Sequence, residues 1–179
     1  MPPIVTLRPI RADDADFPLA VYASTRADEL ALTEWSDAAK DDFVRMQFHA
    51  QDKHYRHYYP DAAFRIVECD GIPAGRLIVD RTPEAILILD IVLLPAYRDR
   101  GIGGGLLRDL LAEAGGGGKW VRIYVEQFNP ARRLYERLGF RVTAEEGIYY
   151  QMRWSPPDPT QVGQTDSRDP RPRSSEFTA

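Results

Sequence analysis

The chain has 179 residues, a formal net charge of -4 at pH 7 and one cysteine, Cys69. This length suits a single domain with one sizeable core. The acidic balance disfavours nucleic acid and anionic membranes as partners, and a single cysteine excludes an intrachain disulfide framework. No apolar run is long enough to cross a bilayer, and the first residues lack the charged and apolar regions of a signal peptide. We therefore expect a cytoplasmic protein.

The first third of the sequence predicts a strand and two helices. Residues 4–8 alternate between polar and apolar, as in a half-buried strand. The aspartates that follow offer N-caps for a helix running through Tyr22 to about Arg26; they are Asp13, Asp14 and Asp16. Ser36 predicts the N-cap of a second helix, over residues 37–58. An imperfect apolar stripe predicts the buried face of that helix, made of Ala39, Phe43, Met46, Ala50 and His57.

The next segment predicts a β-hairpin and a buried strand. Residues 64–69 and 74–79 have the composition of strands, and Asp70-Gly71 between them is typical of a tight hairpin turn. Residues 86–93 are almost entirely apolar. We expect this third strand to be central in a sheet and covered on both faces.

Four glycines follow the apolar strand at the predicted start of a helix. They are Gly101, Gly103, Gly104 and Gly105. Glycine costs a helix about 1 kcal/mol relative to alanine, so this cluster requires a reason. Close approach of the backbone to an anion is such a reason, because a helix N-terminus offers unpaired N–H groups and a partial positive charge. Arg98 and Arg100 add full charges, and the segment therefore predicts a phosphate or pyrophosphate ligand.

Two common phosphate motifs do not fit this segment. A Walker loop requires Gly-Lys followed by Ser or Thr, and that triplet does not occur. A dinucleotide fingerprint starting at Gly101 would require glycine where Leu106 stands. The remaining pattern, Arg98-x-x-Gly101-x-Gly103, resembles the acyl-CoA pyrophosphate loop of the GNAT superfamily of N-acyltransferases.

A second block carries the same resemblance. Residues 129–140 read N-P-A-R-R-L-Y-E-R-L-G-F and are similar to the family's segment N-x-x-A-x-x-L-Y-x-x-L-G-F, with one residue fewer between Asn129 and Ala131. Between the two motifs, glycines at 115–118 predict a flexible break and residues 119–126 a strand. Residues 130–138 predict a helix, and residues 140–143 with 148–154 a terminal strand pair.

The resemblance implies an α/β (α+β) fold for residues 1–154. Its elements are a mixed, mostly antiparallel central sheet of about seven strands, helices on both faces, and a splayed parallel strand pair in the middle. The crossover through one helix itself predicts that the strands at 86–93 and 119–126 run parallel. Residues 155–179 are rich in proline and lack periodicity, and we expect a disordered or loosely docked tail.

The resemblance also implies acetyl-CoA as acyl donor and an amine as acceptor. It assigns Tyr135 as the acid that serves the departing sulfur. It further assigns a set of cofactor-binding residues, namely Ile91, Val92, Leu93, Arg98, Asp99, Arg100, Gly101, Ile102, Gly103, Gly104, Asn129, Arg132 and Tyr135. No metal is expected, because His49, His54 and His57 lack a cysteine or a third fixed ligand nearby.

Two carboxylates are candidates for the base that accepts the proton of the amine, Asp90 first and Glu126 second. Asp90 is the only charged residue in the apolar run at 85–94, and a buried carboxylate is costly unless it is paired or used. Glu126 closes the next strand, beside the expected splay. The structural alternative for each of them is to pair with an arginine or to cap a loop.

The acceptor region is expected outside the motifs. Its candidates are Glu29, Trp35, Tyr55 and Tyr59, because aromatic rings and carboxylates suit a cationic amine. Packing of the second helix on the sheet explains the aromatic residues equally well. The sequence leaves two functions open, an N-acetyltransferase acting on a small-molecule or peptide amine, and a non-catalytic acyl-CoA-binding regulatory domain; either could form a homodimer.

Overall fold

A computed structural model describes residues 3–14 and 16–157 of the chain. Most of the predicted tail at 155–179 therefore lies outside the described residues. The strands are β1 Val5–Pro9, β2 Ala63–Cys69, β3 Ile72–Arg81, β4 Ala85–Leu93, β5 Trp120–Glu126, β6 Arg141–Glu146 and β7 Tyr149–Trp154. The helices are α1 Asp16–Ala31, α2 Asp37–Tyr58, α3 Ile102–Gly116 and α4 Arg132–Arg137. In this part of the chain, no helix is both long and apolar enough to span a membrane.

The strands form one mixed sheet in the order β1-β2-β3-β4-β5-β7-β6. Strand β4 lies in the middle and pairs with β5 in parallel, whereas the other neighbours are antiparallel. The hairpin between β2 and β3 turns at Asp70 and Gly71, with φ angles of 54° and 79°. Positive φ at both positions is what a type I′ turn requires. The predicted fold class, including its central parallel pair, is confirmed.

Helices cover both faces of the sheet. The apolar side of α3 packs on one face through Leu106, Leu107 and Leu110, which belong to the main buried cluster. Leu77 and Val79 of β3 point into the same cluster. Ile78, which lies between them, is fully buried on the opposite face. On that face α1 contacts β3 and β4, and α1 and α2 pack against each other. The central strands are therefore shielded from water on both sides.

Helix α2 has the predicted bounds, but its predicted buried face is wrong. The Ser36 hydroxyl accepts a hydrogen bond from the Ala39 N–H at 3.2 Å and caps the helix. Met46, placed in the predicted stripe, is 61% exposed, whereas Val44 and Phe48 are buried. The apolar pattern failed to predict the buried face because the inner face of α2 is apolar only near the start of the helix. Towards the C-terminal end that face carries polar side chains around a cavity.

Several other predicted boundaries shift. Helix α1 continues past Arg26 to Ala31, and α3 includes Gly115 and Gly116, which were predicted as part of a flexible break. Helix α4 is shorter than the predicted 130–138, because the chain enters it through a turn that hydrogen-bonds Asn129 to Ala131. Gly139 follows α4 with a φ of 97°, the left-handed conformation that ends a helix.

Asp14 joins β1 to the turn that precedes α1. Its carboxylate accepts two hydrogen bonds from the Arg8 guanidinium, at 2.6 and 2.8 Å, and one from the Arg11 N–H at 2.7 Å. The Arg8 contact lowers the pKa of Asp14 from 3.8 to about 2. A lowered folded-state pKa stabilises the fold above the unfolded pKa, and this stabilisation disappears as the pH falls through the folded pKa.

We therefore expect Asp14→Asn to lower the melting temperature at neutral pH by a few degrees. The difference from the native protein should shrink as the pH falls from about 4 to about 2, where the native carboxylate also becomes protonated. Thermal denaturation followed by circular dichroism across this range measures both effects. A difference that stays constant down to pH 2 would show that the Asp14 charge contributes nothing.

Candidate active site

The two central parallel strands separate partway along their length. Strand β4 pairs with β5 only from Ala85 opposite Trp120 to Ile88 opposite Ile123. Beyond that point β4 stays with β3 up to Leu93, and β5 stays with β7 up to Glu126. A gap therefore opens in the middle of the sheet, between the carboxyl-terminal ends of β4 and β5. This is the splay that the resemblance implied.

A β-bulge lies where the gap begins. The β3–β4 register passes from Val79 opposite Ile88 to Ile78 opposite Asp90, so Leu89 is an extra residue in β4. Its carbonyl accepts a hydrogen bond from the Tyr55 hydroxyl of α2 at 2.9 Å. The bulge changes the course of β4 at the point where this strand leaves β5.

A cavity of about 380 Å³ occupies the gap. Strands β4 and β5 form its floor, α1 and α2 contribute side chains from one side, and α4 contributes Tyr135. The three predicted catalytic residues, Tyr135, Asp90 and Glu126, all line it although they come from three separate elements. The sheet topology brings them together, because the ends of β4 and β5 flank the same gap.

Tyr135 is a buried side chain that reaches the cavity. It is 5% exposed, and its ring packs edge-on against Phe140 with the ring centroids 5.8 Å apart. Among the described residues, none forms a hydrogen bond with its hydroxyl. The structure therefore does not show the buried partner expected of a core tyrosine. Burial, together with the negative charge of Asp90, raises the pKa of Tyr135 above its usual value of 10.0. The hydroxyl therefore stays protonated at neutral pH and can donate a proton.

Asp90 belongs to a buried ion pair. Its Oδ2 accepts a hydrogen bond from Arg76 Nε at 2.6 Å, and Arg76 is only 2% exposed. The Nη2 atom of Arg76 donates a second hydrogen bond to Gln51 Oε1 at 3.0 Å. Pairing with an arginine was the structural alternative for this carboxylate. One of its oxygens is thus already engaged, although the residue lines the cavity.

Glu126 is held more loosely. The nearest guanidinium, that of Arg26, lies with Nη1 3.7 Å from Glu126 Oε1, and the Glu126 side chain is 36% exposed. Burial and the charge of Glu126 raise the pKa of the neighbouring Tyr149. Glu126 can accept a proton without the loss of a tight ion pair, which distinguishes it from Asp90.

The glycine segment forms the amino-terminal end of α3 close to this gap. Gly101 precedes the helix with a φ of 79°, and Asp99 also has a positive φ, 57°. The first helical hydrogen bond runs from the Gly105 N–H to the Gly101 carbonyl, so the N–H groups of residues 102–104 precede it and point out of the helix end. A Cβ atom at Gly103 would meet only Leu93 Cδ1, at 3.9 Å, and one at Gly101 would meet nothing within 4 Å. The geometry suits an anion at the backbone.

The other predicted cofactor residues lie around this helix end and the cavity. Arg98 Nε donates to the Leu93 carbonyl at 2.9 Å, and the Arg100 guanidinium lies 5.7 Å from the Tyr97 ring centroid. Arg132 forms a salt bridge with Glu136 at 3.0 Å. Ile91, Val92 and Asn129 line the cavity. Their roles towards a cofactor remain predictions.

Only two of the four predicted acceptor residues line the cavity, Tyr55 and Tyr59. Trp35 is 48% exposed and packs on Phe43 with the ring centroids 5.3 Å apart, and Glu29 is an exposed residue near Arg26. The polar lining residues that sequence reasoning missed include Arg26, Gln47, Gln51, Arg76 and Arg122. The polar spacing of Gln47, Gln51 and Tyr55 along α2 was the available signal. Within residues 3–14 and 16–157, no cluster of three or more His, Cys, Asp or Glu side chains could hold a metal ion.

Comparison with known families gives a match over the middle of the chain. Residues 60–142 match the model of the acetyltransferase (GNAT) domain. This segment includes the paired strands β2 to β5, the glycine-led helix α3 and the short helix α4.

Solved structures share the fold at low sequence identity. The PaiA N-acetyltransferase from Thermoplasma acidophilum, in complex with coenzyme A, is 18% identical with a TM-score of 0.65, over 85% of this chain and 99% of that one. A GNAT acetyltransferase from Elizabethkingia anophelis with acetyl-CoA bound is 18% identical with a TM-score of 0.53, over 84% and 97% of the two chains.

A third similar structure contains a bisubstrate analogue. It is Arabidopsis thaliana Naa50 in complex with the bisubstrate analogue CoA-Ac-MVNAL, which is 17% identical with a TM-score of 0.55, over 84% of this chain and 98% of that one. At such identities the likeness shows the fold alone. The segment matched by the family model includes both the glycine segment and the block at 129–140. Residues 60–142 therefore match the acetyltransferase (GNAT) domain, and the described chain has the fold of the GNAT acetyltransferases to which it is similar.

Proposed function

We propose that this protein is an N-acetyltransferase. It transfers an acetyl group from acetyl-CoA to a primary amine of a small molecule or peptide, by direct attack in a ternary complex. One observation carries the proposal: Tyr135, Asp90 and Glu126 line a single cavity at the separation of β4 and β5. Similar folds crystallised with coenzyme A or acetyl-CoA support the choice of donor.

The residues that would hold acetyl-CoA come from the amino-terminal end of α3 and from the gap between β4 and β5. The N–H groups of residues 102–104 suit its pyrophosphate, with Arg98 and Arg100 adding charge. Residues Ile91, Val92 and Leu93 of β4 have no β5 partner, which leaves the strand edge that faces the gap open to the pantetheine arm. When bound, acetyl-CoA supplies an activated thioester.

Two side chains divide the proton transfers. Glu126 accepts a proton as the amine nitrogen forms its bond to the acetyl carbon. Tyr135 donates a proton or hydrogen bond to the sulfur as the carbon–sulfur bond breaks. Asp90 stays paired with Arg76 and acts on the shape of β4 rather than on the proton. This assignment follows from the looser contact of Glu126. Its Oε1 lies 3.7 Å from Arg26 Nη1, whereas Asp90 Oδ2 lies 2.6 Å from Arg76 Nε.

Acetyl-CoA consumption against a panel of amines, amino acids and peptides tests the proposal. Release of the coenzyme A thiol that depends on the amine, with the acetylated amine identified by mass spectrometry, is the expected result. Saturable acetyl-CoA binding without transfer to any member of a broad panel would instead favour the non-catalytic acyl-CoA-binding domain. Absence of acetyl-CoA binding would contradict both functions.

Gly103→Val tests the donor site independently of the acceptor. We expect acetyl-CoA affinity to fall at least about tenfold, because a branched side chain would stand over N–H groups that face the pyrophosphate. The fold should tolerate the change, since the nearest atom to an added Cβ is 3.9 Å away. Isothermal titration calorimetry measures the affinity. Gly116→Val, at the other end of α3 with nothing within 4 Å, controls for the cost of valine in the helix. Native affinity in a folded Gly103→Val protein would exclude this site.

A further inference from the structure

Three polar side chains join α2 to the sheet at the β4 bulge. The Tyr55 hydroxyl donates to the Leu89 carbonyl at 2.9 Å. Arg76 of β3 donates to Gln51 of α2 at 3.0 Å and to Asp90 at 2.6 Å. Gln51 and Tyr55 are one turn apart on α2, so a single face of this helix bonds Leu89 directly and Asp90 through Arg76. We name Gln51, Tyr55 and Arg76 the α2 clamp.

The clamp occupies a place where apolar packing would be expected. Arg76 is 2% exposed in β3, the strand beside central β4, where a charge is costly to bury. The apolar contact between α1 and α2 is small, with Tyr22, Val44 and Phe48 as its buried members. Stability alone would favour extending that cluster along α2. The polar contacts instead fix one arrangement of helix and strand, because each hydrogen bond requires its own geometry.

The carbonyl held by Tyr55 belongs to the one β4 residue that both neighbouring strands skip. The β3 register jumps from Ile88 to Asp90, and the β5 pairing ends at Ile88. Leu89 has no partner of its own in either ladder, so the hydrogen bond from the Tyr55 hydroxyl to its carbonyl adds a restraint at the bulge. Burial raises the pKa of the Tyr55 phenol, so its hydroxyl remains a donor throughout the neutral range.

We propose that Gln51, Tyr55 and Arg76 are positioning residues that set the course of β4 beyond Leu89 and thereby hold open the gap between β4 and β5. The inference rests on the proposed acetyl transfer for its kinetic consequence. The clamp acts through β4, whose residues 91–93 form the donor wall of the gap. Its effect on turnover should therefore be the same for every acceptor.

Tyr55→Phe removes the hydroxyl and keeps the ring. We expect faster amide hydrogen exchange at residues 89–93 than in the native protein, and a kcat lower by about tenfold with each acceptor, with acceptor KM unchanged. Tyr58→Phe on the same helix is the matched control, because Tyr58 is 49% exposed and lies outside the cavity lining. It should leave exchange and turnover at native values.

Two substitutions of Gln51, one of them conservative, test the same clamp. Gln51→Glu keeps an oxygen that accepts from Arg76 and should retain most of the native exchange pattern, whereas Gln51→Ala should resemble Tyr55→Phe. Native exchange at 89–93 in both Tyr55→Phe and Gln51→Ala would overturn the clamp. A raised acceptor KM at unchanged kcat would also overturn it, in favour of direct acceptor binding by these side chains.

Failure of the proposed function is distinguishable from failure of the clamp. If the native protein acetylates no amine, the proposed function fails, and hydrogen exchange still decides whether Tyr55 and Gln51 restrain β4. If transfer occurs but Tyr55→Phe shows native kcat despite faster exchange, the positioning role is wrong while the acetyltransferase assignment stands.

Discussion

Tyr135→Phe should lower turnover by about 10²-fold or more while leaving acetyl-CoA affinity close to native. The lost group is a hydroxyl that lines the cavity and could protonate the leaving sulfur. The retained group is the ring, which keeps its edge-on contact with Phe140. Because the pKa of Tyr135 is raised above 10.0, ionisation of this phenol should not reduce activity within the neutral or mildly alkaline range.

Three measurements on the same variant separate the two roles of Tyr135. Steady-state kinetics gives turnover, calorimetry gives acetyl-CoA affinity, and thermal denaturation gives stability. A purely structural tyrosine would show changed stability with turnover intact. A fully active phenylalanine variant would refute Tyr135 as the acid, and proton delivery would then fall to water.

Glu126→Gln should also reduce turnover by about 10²-fold or more at neutral pH. Glutamine has nearly the same shape but cannot accept the proton of the attacking amine. We expect the deficit to narrow as the pH rises, because more of the amine acceptor is then neutral before it binds. A pH profile of kcat/KM for the native and variant proteins measures this convergence.

Glu145→Gln is the matched control for Glu126→Gln. Glu145 is an exposed glutamate on β6, outside the cavity lining, so its replacement removes the same charge from the chain without touching the site. Native turnover in Glu126→Gln would contradict its role as the base. If Asp90→Asn then abolished transfer without altering hydrogen exchange in β4, the proton would go to Asp90 instead.

Local sequence patterns were sufficient to predict the features that depend on residues a few positions apart. The Ser36 cap, the Asp70-Gly71 turn and the glycine start of α3 each follow from backbone geometry within a few positions. The crossover rule, applied to the elements in order, placed the parallel strand pair. The predicted helix ends were less accurate, as the added turns of α1 and α3 show. Tertiary contacts can extend a helix past the residue where the sequence predicts its end.

The candidate site was predicted in part. Tyr135 was named through the motif at 129–140, and Asp90 and Glu126 through their charge at the ends of apolar strands; all three line the cavity. Arg76 was missed because a single arginine inside an apolar strand gives no sign of its partner. Trp35 and Glu29 were named from residue type alone, and the structure places them outside the cavity.

The sequence by itself determined the order of the elements, the glycine-rich start of α3 and the resemblance to GNAT acetyltransferases. Only the tertiary structure decided which face of α2 points inward, where β4 carries its bulge, and that Arg76 pairs with Asp90 and Gln51. The physical reason is the range of the interactions. Caps, turns and helix ends are set by atoms a few residues apart, whereas strand register and buried ion pairs join residues distant in the chain, and their energies depend on burial that exists only in the assembled sheet.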